Sequence, residues 1–352
     1  SDALKALAAR GQVPGFQAMR ARLNLARTKL LLGKASEAIN ELRDLADDTY
    51  EYNALREYWA TYRTLGDAFA SQKNHTEAAR NYDKSLSILK EFPDLRDRVS
   101  SRLPDYFERL ARFYISQGRL RRAMEILELK RQTYLQNQFL RYPLKLANSI
   151  EDEQHRVMLN ILSTLSRSSR QESILRLEHK NFDSVARYNQ ELRNELQYVQ
   201  RSLAQARPLL EPFLLLNESI SRPSTGTVLI QFFVNHPGGG CLVFDKDLSF
   251  QPYENQDVDQ FLEKCLPAEA NKLVIVPDHT SFSWDLHQRI PELRKDLPAP
   301  VFTSTARDLE DFVGFIEPQD LRGRKPERNI WNAGSAPVTR SNHLSYKSTP
   351  AF

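Results

Sequence analysis

The sequence predicts an α + α/β protein, in which an array of helical hairpins is followed by an α/β domain. Small residues recur at matching places in three helical segments before about residue 140. A short apolar run, Leu273 to Val276, then ends at a Pro-Asp turn. A run this short, bounded by turn residues, is typical of a strand that is covered on both faces. We therefore expect a helical array, which is suited to recognising proteins, joined to an α/β domain, which often carries sites.

Composition excludes several classes of protein. The 352 residues suit two or three domains, and 41% hydrophobic and 27% charged residues are ordinary for a globular protein. The net charge of +4 does not by itself indicate a nucleic-acid partner, and no apolar run approaches the ~20 residues that span a bilayer. Two cysteines are too few for a disulfide framework, which favours a reducing compartment such as the cytoplasm. The first residue is Ser1, so a removed signal peptide stays an open alternative.

The helical segments share a pattern of small residues. A small residue in the middle of one helix is followed twelve positions later by an alanine, in the pairs Ala26 and Ala38, Gly66 and Ala78, and Ala111 and Ala123. Two antiparallel helices pack closely only where side chains are small, and bulky residues three or four positions further on fill the space beside the crossing. The pattern therefore predicts three helical hairpins.

The second hairpin carries the clearest resemblance to a known family. Gly66, Ala78, Phe69 and Tyr82 match the small and aromatic positions of the tetratricopeptide repeat. The steps from Ala26 to Gly66 and from Gly66 to Ala111 are 40 and 45 residues, against about 34 in that family, so we expect longer helices or loops. The resemblance implies an α-solenoid over residues 1–140, with a groove that binds a peptide or helix of a protein partner. A generic array of helical hairpins is the alternative.

Candidate groove residues lie on the first helix of each hairpin. Their basic members could grip an acidic segment of a partner, or the whole set could form ordinary solvated helix faces. The candidates are Arg22, Lys29, Arg63, Asp67, Arg109 and Arg112.

Residues 141–222 are predicted to form a long helical hairpin or linker. Apolar residues recur at three- and four-residue steps from Val185 to Leu210, which indicates a long amphipathic helix that Pro208 and Pro212 end or kink. The Ser- and Arg-rich stretch 166–170 predicts a turn between helices or a break. The segment is either a hairpin packed against its neighbours or a coiled-coil dimerisation arm.

Residues 223–316 are predicted to form the α/β domain. Strands are expected at 228–234, 241–244, 248–253, 272–276 and 301–303, with helices at 257–266 and 305–315. The stretches VLIQFFV, CLVFDKD, KLVIVPD and PVFTSTARDLEDF occur in an order that resembles the first half of a CHAT domain. That family is related to caspases and separases and commonly follows tetratricopeptide repeats. The resemblance implies a partial caspase-like fold.

The chemistry of a cysteine peptidase cannot be assigned to this chain. The family's His-Gly and Ala-Cys-x-x-Gly motifs are absent, and His343 is followed by Leu344. Cys241 and Cys265 fall on an early hairpin and helix, where we expect core packing. We therefore assign no catalytic residue, and the sequence shows neither a zinc spacing nor a phosphate loop that would indicate a metal or cofactor. Asp278 and His279 follow a strand, where they are either functional or part of a structural turn.

Three functions remain open. The leading hypothesis is a protein-interaction and regulatory module, in which the array binds a partner and gates or scaffolds the α/β domain. The second is the regulatory part of an active caspase-like cysteine peptidase, whose His and Cys lie on a second fragment or chain. The third is a plain tetratricopeptide adaptor.

Residues 317–352 are predicted to be a basic, irregular tail. The tail either folds on a partner or belongs to an incomplete domain.

Overall fold

The computed structural model describes residues 15–141, 149–206, 211–216, 220, 222–234, 239–254, 257–278, 284 and 286–302. Within these ranges the predicted α + α/β class is confirmed, since most of the chain is helical and five strands form one mixed sheet. No helix in the described ranges has the length and apolar character needed to cross a membrane. The predicted helix at 305–315 and the tail at 317–352 lie outside the described residues.

The first part of the chain consists of helical hairpins in succession. The helices are α1 (Gly15–Leu31), α2 (Ala35–Glu51), α3 (Leu55–Ser71), α4 (His75–Glu91), α5 (Pro93–Val99), α6 (Leu103–Ser116) and α7 (Leu120–Arg141). The hairpins are α1–α2, α3–α4 and α6–α7, and α2 also packs on α3. The long steps between repeats have two causes. Helices α1 to α4 are 17 residues each, and α5 with a 3-10 turn at Ser100–Arg102 separates the second hairpin from the third.

The turns inside these three hairpins share one backbone geometry. Gly33, Lys73 and Gly118 all have positive φ, at 75°, 59° and 68°. In each turn the N–H of this residue and the N–H of the next residue bond back to carbonyls of the preceding helix, which is the Schellman motif. Lys73 therefore has a left-handed backbone conformation at the position where the first and third hairpins have glycine. A residue with a side chain has a steric cost there that glycine avoids.

Small residues lie at the helix crossings, as the sequence predicts. Ala26, Ala38 and Ala78 are fully buried. A Cβ atom on Gly66 would overlap the ring of Tyr82, so the close approach of α3 and α4 requires a residue without a side chain there. This arrangement matches the predicted crossing in the second hairpin.

The predicted break at 166–170 is wrong. Helix α8 (Ser149–Leu177) runs through it without interruption and pairs with α9 (Asp183–Ala206). Serine is tolerated inside a helix, and three positions beyond this stretch the same helix contacts the array, where Ser173 Oγ donates to the carbonyl of Asn53 in the α2–α3 turn. The apolar stripe of the predicted amphipathic helix is present in α9, where Leu196 and Leu203 are fully buried. A short helix, α10 (Glu211–Leu214), then packs on α7 and α9.

The sheet has the strand order β3-β2-β1-β4-β5. Its strands are β1 (Thr227–Phe233), β2 (Gly240–Phe244), β3 (Leu248–Pro252), β4 (Lys272–Val276) and β5 (Val301–Phe302), with α11 (Val258–Cys265) before β4 and α12 (Leu286–Leu293) before β5. β1 pairs antiparallel with β2 and parallel with β4, and β4 pairs parallel with β5. All five strands were expected from the sequence.

The two faces of the sheet pack into different hydrophobic cores. Leu229, Phe233 and Val274 belong to the same core as the helical hairpins. Ile230 and Ile275 point the other way and pack with α11 and α12. Because alternate residues of a strand face opposite sides, β1 and β4 are mostly apolar, with Gln231 as a fully buried polar residue within β1.

An arginine cluster as the candidate functional site

Four arginines of the helical array lie near one another, with the carboxylate of Asp67 among them. Arg27 comes from α1, Arg63 from α3, Arg102 from the 3-10 turn and Arg109 from α6, and Asp67 is one turn after Arg63. Their charges act on one another, since Arg63, Arg102 and Arg109 all lower the pKa of Arg27 while Asp67 raises it. These five residues are called the arginine cluster below. The cluster carries four positive charges and one negative charge.

Asp67 is already engaged at both oxygens. Arg109 Nη1 donates to Asp67 Oδ2 at 2.9 Å, and Tyr82 Oη donates to Asp67 Oδ1 at 2.8 Å. Since Tyr82 also packs against Gly66, the helix crossing that the sequence predicts fixes the position of this carboxylate. Asp67 therefore neutralises Arg109 directly and the other arginines only from a greater distance.

Arg27 and Arg63 are less well satisfied. Arg27 Nη2 and Arg63 Nε are buried without a hydrogen-bond partner among the described residues. Arg27 Nε makes one long hydrogen bond of 3.4 Å to Thr64 Oγ1. The guanidinium carbon of Arg63 lies 5.2 Å from the centre of the Trp59 ring, which supplies a cation–π contact but no acceptor oxygen.

Burial and like charge both disfavour the charged form of these two side chains. Burial, followed by the neighbouring Arg63 and Arg102, lowers the pKa of Arg27 to about 10. Burial also lowers the pKa of Arg63, with Asp67 opposing this effect and Arg109 adding to it. For a base, a folded pKa below the unfolded value means that the charge costs stability at neutral pH. That cost begins to fall as the pH rises through the folded pKa, and it is gone only above the unfolded pKa.

The arrangement suits anion binding and does not suit proton transfer. A guanidinium with a pKa near 10 stays protonated at neutral pH, so it cannot act as a general base there. Guanidinium groups instead bind carboxylates and phosphates through paired N–H donors. An anionic group placed among Arg27, Arg63 and Arg109 would gain these donors and relieve the repulsion between the arginines.

The six residues predicted from the sequence divide into two groups. Arg63, Asp67 and Arg109 come together in the arginine cluster. Arg22 pairs with Glu41 and Asp48, and Lys29 lies 3.7 Å from Glu37, so both engage α2 of their own hairpin. Arg112 is half-buried on α6. A role in partner binding stays a prediction for all six.

Two members of the cluster were missed by the sequence analysis. Arg27 directly follows Ala26, as Asp67 follows Gly66 and Arg112 follows Ala111, so comparison of the three repeats could have identified it. Arg102 lies in the segment between the second and third hairpins. No repeat pattern marks that segment, so nothing in the sequence indicated its position.

A second set of charged residues lies at the carboxyl ends of the parallel strands. Arg131 of α7 donates through Nη2 to the carbonyls of Phe232 and Val276, at 3.2 and 3.3 Å. Asp278 accepts a hydrogen bond from the backbone N–H of Val234. Asp278 therefore has the structural role that the sequence allowed, while His279 lies outside the described residues.

The cysteines lie in the core of the sheet. Cys241 and Cys265 are buried in the core that packs on α11 and α12. Burial and the adjacent Cys265 raise the pKa of the Cys241 thiol, which keeps it protonated at neutral pH. His236 and His343 lie outside the described residues. Within the described part of the chain, no group of three or more His, Cys, Asp or Glu side chains is placed to hold a metal ion.

Comparisons with known proteins give no match to this chain. No family model, no curated protein and no solved structure is similar to it. Its interpretation therefore depends on its own residues and their geometry.

Proposed function

We propose that this chain is a protein-interaction and regulatory module that resembles a tetratricopeptide solenoid, and that it binds an acidic segment of a protein partner. One observation carries the proposal, namely that Arg27, Arg63 and Arg109 converge from three successive hairpins with Asp67 as the carboxylate of the cluster. The α/β domain that follows is the CHAT-like part, which the array gates or scaffolds.

Carboxylates of a protein segment fit this cluster better than a single small ion does. The arginines come from separate hairpins, so a chain of several carboxylates can reach all of them in turn. Trp59 stacks on Arg63 and restricts the guanidinium, which lowers the entropy lost on binding. Basic residues along the face also speed association with an acidic partner at low ionic strength.

The test is binding of a short, fluorescent oligoglutamate peptide, measured by anisotropy at low salt. A neutral Gly-Ser peptide of equal length is the control ligand. Replacing both Arg27 and Arg63 by Gln should weaken oligoglutamate binding by about tenfold or more, which equals about 1.4 kcal/mol.

The matched control protein replaces Arg80 and Arg156 by Gln. This double variant loses the same total charge as the Arg27 and Arg63 variant. The replaced side chains, however, are 80% and 68% exposed and lie on other helices. The control should bind as the wild type does. Equal losses in the two double variants would show only a net-charge effect, and the proposed site would then be wrong.

The peptidase alternative has a specific observation in its favour. Helices α11 and α12 precede β4 and β5, and β1, β4 and β5 run parallel. Such a sheet can continue with further strand and helix units, which is where a His and Cys pair would enter in a CHAT-like domain. Native purification followed by mass spectrometry tests this, because a stoichiometric fragment with His-Gly and Cys-x-x-Gly motifs would favour the peptidase.

The plain adaptor is the remaining alternative. It predicts that partner capture survives deletion of residues 223–352. This deletion also uncovers the face of the array core that Leu229, Phe233 and Val274 cover, so the truncated chain needs a check of its folding. Capture lost in a folded truncation would exclude the adaptor.

A further inference from the structure

The Arg131 side chain donates hydrogen bonds at the carboxyl ends of two neighbouring strands. β1 and β4 pair up to Gln231 opposite Val276, and the carbonyls of Phe232 and Val276 both accept hydrogen bonds from Arg131 Nη2. The guanidinium thus donates to strand carbonyls at the point where the pairing of β1 with β4 ends. The arginine side chain is supplied by α7, which belongs to the third hairpin of the array. A single buried side chain therefore joins the array to the strand ends.

Several charged groups lie near this junction. Asp278, which bonds to Val234 N–H, and Glu128 of α7 both act electrostatically on Arg131. The neighbouring Lys130 forms an ion pair with Glu108 of α6, and Asp105 of α6 also acts on Lys130. Both helices of the third hairpin are therefore tied to the ionic groups at the sheet edge.

The same hairpin also reaches the arginine cluster. Glu108, which pairs with Lys130, is next in sequence to Arg109, which pairs with Asp67. Successive residues of one helix point in different directions, so α6 holds the cluster on one side and α7 on the other. A contiguous set of packed contacts thus leads from Asp67 through α6 and α7 to the ends of β1 and β4.

The carboxyl edge of parallel strands is where α/β domains place their ligands and reacting groups. Here the array itself supplies the groups that hold this edge. We propose that the α6–α7 hairpin couples the two regions, so that binding of an acidic segment at the arginine cluster orders the carboxyl ends of β1 and β4 through Arg131. The inference rests on the proposed function, since it assigns a regulatory consequence to the same binding site.

The direction of the effect follows from electrostatics. Without a ligand, repulsion among four arginines opposes close packing of α1, α3 and α6. An acidic segment neutralises this repulsion, steadies α6 and, through the Glu108–Lys130 pair, holds α7 more firmly against the sheet. Amide hydrogens at the strand ends should then exchange more slowly, because local opening becomes rarer.

Hydrogen exchange of the full chain, with and without oligoglutamate, tests the proposal. In the wild type, saturating peptide should slow exchange of residues 230–234 and 273–278 by about fivefold, the lower end of usual coupling between sites. Helix α11 serves as the internal control and should change less, since it packs on the face of the sheet that is turned away from the helical hairpins.

Two variants separate coupling from general stabilisation. Arg131→Met removes the donors to both carbonyls, and Arg131→Lys keeps a charge but loses the planar fork of N–H groups. Each variant should bind oligoglutamate within about twofold of the wild type, a difference of roughly 0.4 kcal/mol, while the slowing at the strand ends is lost or reduced. If Arg131→Met does not fold, Arg131→Lys supplies the comparison.

The outcomes are distinct. Peptide binding with unchanged exchange at the strand ends would overturn the coupling and leave the proposed function intact. Full slowing in both Arg131 variants would also overturn it, because the effect would not pass through Arg131. Absence of oligoglutamate binding in the wild type would remove the proposed function and this inference together.

Discussion

The helical array and its junction with the sheet place partly buried arginines in different electrostatic surroundings. At the junction, Arg131 donates through Nη2 to two strand carbonyls and has Glu128 and Asp278 as nearby counter-charges, while its Nη1 is buried without a hydrogen-bond partner among the described residues. In the array, Arg27 and Arg63 also keep buried nitrogen atoms without a partner among the described residues, but other arginines act on them as like charges. An arginine with nearby counter-charges supports a structure, whereas one among like charges gains more from an anionic ligand. This difference separates a structural arginine from candidate binding arginines in the same chain.

The largest expected effect comes from Arg131→Met. The change leaves the Phe232 and Val276 carbonyls without this donor and removes the positive charge beside Asp278, so it should lower the free energy of unfolding by about 3 kcal/mol. Urea denaturation measures the loss, with Arg80→Met as the control on an exposed side chain. A loss no larger than that of the control would show that Arg131 does not hold the junction.

Gly66→Ala tests the packing on which the array depends. The added methyl group would overlap the Tyr82 ring, whose hydroxyl holds Asp67. We expect a loss of about 2 kcal/mol in the free energy of unfolding, as for other overpacked positions. Gly33→Ala is the matched control, because no atom lies within 4 Å of its Cβ position and its φ is 75°. It should lose only about 1 kcal/mol, through backbone strain.

Replacing Arg27 with Met should separate stability from binding. The charged side chain costs stability at neutral pH, so its removal should leave the free energy of unfolding unchanged or raise it by about 0.5–1 kcal/mol, opposite in sign to Arg131→Met. Thermal unfolding of the two variants side by side gives the comparison. A destabilisation of Arg27→Met comparable to that of Arg131→Met would show that the two arginines have the same role.

Added salt should affect the two regions differently. Screening reduces repulsion among partly exposed charges and leaves buried hydrogen bonds nearly unchanged. The wild type should therefore gain stability with salt by a few tenths of a kcal/mol relative to Arg27→Met, while oligoglutamate binding weakens. Denaturation curves at several salt concentrations measure this. Identical salt responses of the two proteins would mean that Arg27 is not under significant repulsion.

A small effect is expected from Lys73→Gly. Lys73 has a φ of 59° in a turn whose equivalents are Gly33 and Gly118. Glycine removes the left-handed strain but gains freedom in the unfolded chain, so the net stabilisation should be about 0.5 kcal/mol. Gly118→Ala should show the opposite sign in the same denaturation experiment. Destabilisation by Lys73→Gly would indicate that the lysine side chain contributes a contact that outweighs its backbone strain.

The hairpins could be predicted because their signals are local and repeated. Small residues twelve positions apart indicated the crossings between paired helices. The stretch 166–170 gave a wrong prediction because serine and arginine occur in turns and in helices alike. Strand positions were predictable because both faces of β1 and β4 are covered, which leaves mostly apolar runs, with Gln231 as the polar residue inside β1.

The candidate site was predicted only in part. Arg63, Asp67 and Arg109 were named because they lie on first helices, and Arg22 and Lys29 were named for the same reason although they engage α2. Helical position alone does not show whether a cation has an acid nearby. That depends on which neighbouring helix places a carboxylate within ion-pair distance of the cation.

The sequence by itself determined the class of fold, the helical hairpins and the strands, because each follows from periodicity and turn residues within a few dozen positions. Tertiary structure alone decided which arginines lie among like charges and which one donates to the strand ends. Arg131 lies 101 positions from Phe232 and 145 from Val276, so their contact depends on how the third hairpin packs on the sheet. Charge and hydrogen bonding depend on distances in space, and for residues this far apart in the chain those distances exist only after folding.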